Sequence, residues 1–83
     1  MVNIRGVHVT ESDAYWVIDR LRAVGRADDA TAAHAIEIGI DYDQQVELDD
    51  VQQVAVMMSL AGAPEGLMPL RRTLARNHRD RHV

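Results

Sequence analysis

The sequence predicts an all-α fold: a four-helix domain built from two strand–helix–helix units with a minimal two-stranded β pairing. Three observations predict it. Apolar residues recur at three–four spacing in four separate segments. Capping residues open these segments and glycine-bearing turns close them. The aromatic set is only Tyr15, Trp16 and Tyr42, with no phenylalanine. The core must therefore be filled by Val, Ile, Leu, Met and Ala, which suits helix packed on helix. At 83 residues the chain forms one domain, placed at 1–77, with 78–83 as a flexible tail.

The elements follow in chain order. Residues 2–9 alternate apolar and polar positions on both sides of Gly6, which predicts one short strand, best defined at Val7–Val9, with a bulge at the glycine. Thr10 and Asp13 form a capping box for the first helix. Ala14, Val17, Ile18, Leu21 and Val24 are its apolar stripe, and Gly25 is its C-cap. Asp28 or Asp29 opens the second helix, striped by Ala32, Ala35, Ile36, Gly39 and Ile40, whose small residues imply a close helix–helix approach. Val46–Leu48 reads as a second short strand. Asp49 and Gln52 form a second capping box, and the third helix runs to about Ala61. Its main stripe is Val51, Val54, Ala55, Met58 and Ala61, with Val56, Met57 and Leu60 covering most of the remaining circumference. A helix apolar nearly all round is central or lies at an interface. A turn at 62–66 leads to a fourth helix carrying Leu67, Leu70 and Leu74, with Pro69 tolerated in its first turn.

A shift of thirty-nine residues places Val7, Val9 and Thr10 on Val46, Leu48 and Asp49, and Val17, Ile18 and Leu21 on Val56, Met57 and Leu60. This internal repeat predicts that strands 7–9 and 46–48 pair and tie two helical hairpins together.

Charge is segregated. Residues 1–65 hold twelve Asp/Glu against four Arg; residues 66–83 hold five Arg against one Asp. Mutual neutralisation, within a chain or across a dimer, is the simplest account. All nine cationic residues are arginine. Codon usage in a GC-rich bacterial or phage genome explains that more simply than guanidinium chemistry. No cysteine is present, the first fifteen residues hold no signal-like apolar run, and the apolar stretch from Val54 to Ala63 is too short to cross a bilayer. The expectation is a cytoplasmic protein with no membrane partner. A small domain without disulfides often completes its core by oligomerising, so a homodimer is expected.

Candidate chemistry is sparse. No serine or threonine stands in a triad-like pattern, and the glycines form no phosphate-binding loop. No enzymatic activity and no cofactor are expected. The preferred reading is a small regulatory or protein–protein interaction module. Its interface candidates are Tyr15 and Trp16 on the first helix and Met57 and Met58 on the third, since Trp anchors interfaces and Met adapts to them. The alternative partner is nucleic acid. The third and fourth helices would form a helix–turn–helix, with Arg71, Arg72, Arg76, Arg79 and Arg81 on phosphates. A third alternative rests on Asp41, Asp43, Gln45, Glu47 and Asp49. Oxygen ligands at alternate positions, with an apolar Leu48 between, resemble the calcium loop of an EF-hand, which implies these five as ligands. The chain departs from that pattern at Val46, where the loop has its turn glycine, and at Gln52, where it has a bidentate glutamate. His78 and His82 stand four apart and could share a metal on a continuing helix. His34 is read as a partly buried structural histidine, and His8 has no evident partner.

Overall fold

The computed structural model describes residues 1–81. Among them it holds a β-hairpin, β1 (Val2–Ile4) and β2 (Val7–Val9), and four helices: α1 (Glu11–Val24), α2 (Ala27–Asp41), α3 (Asp50–Ser59) and α4 (Met68–Arg81). The helices and the two-stranded antiparallel sheet are of the kinds the sequence predicts. Val7–Val9 is a strand as expected, but its partner is Val2–Ile4 and not 46–48.

Residues 2–9 are two strands rather than one bulged strand. Val2 faces Val9, Asn3 faces His8 and Ile4 faces Val7. Arg5 and Gly6 both take positive φ, 52° and 87°, the pattern of a type I′ two-residue hairpin loop. The Asn3 Oδ1 accepts from the Gly6 N–H at 2.8 Å and holds the turn. The phase shift at Gly6 is thus a chain reversal, which brings Val2, Ile4 and Val9 to one buried face.

Residues 46–48 do not pair with 7–9. Val46 makes a single parallel bridge to Ile4: its N–H donates to the Asn3 carbonyl at 2.7 Å and its carbonyl accepts from the Arg5 N–H. β1 therefore sits between β2 and Val46, and the link expected between two repeated units does not form among the described residues. The first unit closes its own hairpin, and the second contributes one residue.

Capping follows the sequence in part. Thr10 Oγ1 accepts from the Asp13 N–H at 3.1 Å, and Gly25 closes α1 at φ 77° with its N–H on the Leu21 carbonyl. The Asp13 carboxylate makes no return bond to Thr10; it lies against Gly66 in the turn before α4. At α3 the box is complete: Asp49 Oδ1 accepts from Gln52 N–H at 2.8 Å, and Gln52 Oε1 from Asp49 N–H at 2.9 Å. The N-cap of α2 is Arg26, without a side-chain bond, and neither Asp28 nor Asp29 occupies it. Asp29 lies one turn in and is buried.

Two stripes are rotated from their expected places. On α2, Ala33 joins Ala32, Ile36 and Gly39 in the core, while Ala35 and Ile40 are only half-buried and His34 is exposed. Gly39 meets the Val46 side chain, so its small size serves the crossing segment rather than a helix. On α3, Ala55, Val56, Ser59 and Leu60 are buried, whereas Val51 and Met58 are exposed. The packing of α3 on α1, α2 and α4 decides which of its apolar residues are buried. Val24, at the end of α1, is also exposed.

A 3-10 turn at Glu65–Leu67, anchored by Leu67, leads into α4, which anchors through Leu70 and Leu74. The helix continues past the expected tail boundary at 77. Asn77 donates to the Gln53 side chain at 3.5 Å, and Arg81 pairs with Asp50 at 3.1 Å, tying this end to α3. His82, half of the expected histidine pair, lies outside the described residues.

Candidate interaction surface

Arg20 lies between two hollows on the surface of α1. It is one turn after Trp16 on α1, so both side chains leave the same flank. Its guanidinium carbon lies 4.9 Å from the Trp16 ring centroid, and Nη2 donates to the Ala61 carbonyl at 2.6 Å. The cation is thereby fixed between an aromatic face on α1 and the turn after α3. Such a stacked cation at an exposed site contributes about 0.5–1 kcal/mol.

Two hollows share Arg20. The larger, about 460 Å³, has Val24, Ala55, Met58 and Ala61 as apolar wall and Arg26, Asp29 and Ser59 as polar edge. The smaller, about 270 Å³, is lined by Trp16, Asp19, Arg20 and Ala23. The polar edge of the larger is already engaged within the chain. Arg26 Nε donates to Asp29 Oδ2 at 3.0 Å, and Ser59 Oγ donates to the Val56 carbonyl at 2.6 Å. The hydrogen bond to Asp29, and then its charge, push the Arg26 guanidinium further up from its already alkaline range. What the hollow offers a partner is therefore apolar contact beside fixed cations.

The expected interface residues separate. Trp16 lines the smaller hollow and Met58, 63% exposed, lines the larger. Tyr15 is exposed and Met57 is half-buried against the core, and neither lines a hollow on Arg20. Sequence reasoning missed Arg20 and Val24. The first had a signal, an arginine four residues after a tryptophan; the second was assigned to the core stripe.

The arginines of α4 also separate. Arg81 pairs with Asp50, whereas Arg71, Arg72, Arg76 and Arg79 are exposed and pair with no group among the described residues. His78 lies beside Arg81 in a hollow with Asp50, Val51 and Val54.

Of the five EF-hand-like positions, Gln45 is exposed in the connector before Val46 and the four acids have separate places. Asp41 ends α2, Asp43 takes φ 52°, Glu47 pairs with Arg5 at 3.2 Å and Asp49 caps α3. No three His, Asp or Glu side chains among the described residues form a group that could hold a metal ion. No described helix is long and apolar enough to cross a membrane.

No protein-family model, no curated protein and no solved structure matches the chain.

Proposed function

We propose that the chain is a small non-enzymatic protein–protein interaction module that self-associates through the surface around Arg20. The observation that carries this reading is the placement of Val24 and Met58, 52% and 63% exposed, on the wall of one hollow whose polar groups already have partners. Burying such a wall removes apolar surface from water and leaves no new polar group unpaired. Trp, Met and Arg, the residue types here, are those enriched at interfaces.

Sedimentation equilibrium tests the reading. The wild type is expected to dimerise with rising concentration, and Met58→Asp to remain monomeric with an unchanged far-UV circular dichroism spectrum. A wild type that stays monomeric at about 1 mM has less than about 4 kcal/mol of association free energy, and self-association is then refuted. Dimerisation that survives both Met58→Asp and Val24→Asp places the interface elsewhere and overturns the assignment of this surface.

A further inference from the structure

We propose that the outer face of α4 binds the phosphate backbone of duplex nucleic acid. The inference stands on a different observation from the Arg20 surface and does not depend on self-association. The other five arginines are all engaged: Arg5 with Glu47, Arg22 with Glu37, Arg26 with Asp29, Arg81 with Asp50, and Arg20 with Trp16 and the Ala61 carbonyl. The four without a partner, Arg71, Arg72, Arg76 and Arg79, are all on one helix.

Their spacing aligns them. Arg72, Arg76 and Arg79 stand at i, i+4 and i+7, one stripe of a helix, with Arg71 on its flank. Leu70 and Leu74 face the other way, into the core. Neighbouring like charges at this spacing repel. The helix dipole offsets that only at the C-terminal turn, which reaches Arg79. Arg71 closes the first turn, at the positive end, where the dipole opposes it, and Arg72 and Arg76 lie between the two end turns, where it does not help them. Helix physics alone therefore disfavours this row, and an external anion relieves it. Asp80, exposed on the same helix, is the one acid within α4. The acids of other elements that reach α4 lie at its two ends, Asp13 and Glu65 before its N-terminus and Asp50 on Arg81, and among the described residues none pairs with the row.

Three anionic surfaces fit a cationic row, and the structure favours one. A membrane-lying helix needs a free apolar face, and that of α4 is buried. An acidic protein needs apolar anchors among the charges, and Ala75 between Arg72 and Arg76 is half-buried and small, while the exposed Val51 lies on α3 beside Arg81 and not among the row. A phosphate backbone needs neither. The row from Arg71 to Arg79 spans about 12 Å at 1.5 Å per residue, about the width of a major groove.

Fluorescence anisotropy with a labelled mixed-sequence DNA duplex tests this. Four phosphate contacts predict a log–log salt slope of about −3 to −4, an affinity loss of about 100-fold between about 50 and 200 mM salt. The variant Arg71→Gln/Arg72→Gln/Arg76→Gln/Arg79→Gln is expected to lose binding, and Arg22→Gln to keep it. Should the quadruple variant unfold, Arg76→Gln alone is expected to reduce the slope by about 0.9. No binding at low salt overturns the proposal, as does a folded quadruple variant that binds like the wild type. Titration by phosphatidylserine vesicles or polyglutamate, with none by the duplex, also overturns it.

Discussion

The Val46 side chain fills the space where a Cβ on Gly39 would be. An alanine there would meet Val46 Cγ2 well inside van der Waals contact and the Gln44 carbonyl at 3.1 Å. Two effects oppose each other in Gly39→Ala. Helix propensity gains about 1 kcal/mol, and overpacking against a core side chain and fixed backbone costs about 1–3 kcal/mol. The crowding wins because Val46 is held by its bridge to Ile4. The expected result is a net loss of about 1 kcal/mol, the middle of the difference between the two ranges, and a fall in Tm of roughly 4–8 °C. The double variant Gly39→Ala/Val46→Ala is expected to be more stable than the sum of its parts by at least about 0.5 kcal/mol. Additive losses in thermal denaturation would show that crowding is not the cause.

The two helix caps differ in completeness, and their variants should differ with them. Thr10 contributes one side-chain bond, while Asp49 and Gln52 exchange two. Thr10→Ala is expected to cost about 0.5–1 kcal/mol and Asp49→Ala about 1–2, the larger value reflecting also the acid at the N-terminus of α3. Urea denaturation ranks them. An equal or reversed order would mean that the charge of Asp49 at the N-terminus of α3 adds nothing; the return bond, in which Gln52 Oε1 accepts from the backbone N–H of residue 49, survives Asp49→Ala and is removed by Gln52→Ala.

Local signals in the sequence were legible wherever neighbouring residues act on each other. The caps at Thr10 and Asp49, the stop at Gly25 and the leucines of α4 are set by contacts within one turn of helix. The failures needed a distant partner. The reversal at Arg5–Gly6 lacks the usual Asn-Gly or Asp-Gly pair, so the phase change read as a bulge. Val46 looked like a strand with a strand partner, but it bonds along β1, whose other edge β2 already holds. On α3 apolar residues flank the expected stripe, and only the neighbouring helices choose the buried face. Of the candidate surface, Trp16 and Met58 were visible as types, but their relation through Arg20 depends on the approach of α1 to the turn at Ala61.

Two ion pairs of similar chemistry should contribute unequally. Arg22 is exposed and Glu37 partly exposed, whereas the Asp29 partner of Arg26 is buried. Removing one member of an exposed pair leaves the other in water. Removing Arg26 leaves a buried carboxylate with no cation. Arg26→Gln is therefore expected to lower the urea midpoint more than Arg22→Gln. The folded state raises the Arg26 pKa, so its contribution is complete below the ordinary arginine value and fades only as pH rises through the raised one. The difference between the variants should thus be the same at pH 6 and pH 9. A gap that closes within that window would assign the effect to another group.

The orientation of α3 links stability to the proposed interface. The structure buries Val56 completely and leaves Met58 63% exposed, although the side-chain volumes alone would favour methionine as the core residue. Val56→Ala removes two buried methyl groups and opens space among packed neighbours, so a loss of about 2 kcal/mol is expected. Met58→Ala removes a side chain already in water, so stability measured under monomeric conditions should stay within about 0.5 kcal/mol. Association should respond in the opposite order. Met58→Ala weakens the dimer while the monomer keeps its Tm, and Val56→Ala lowers Tm while the folded fraction still associates. Thermal denaturation at low concentration and sedimentation at high concentration separate the two quantities. If Met58→Ala destabilises the monomer more than Val56→Ala, Met58 belongs to the core and the surface around Arg20 loses its apolar wall.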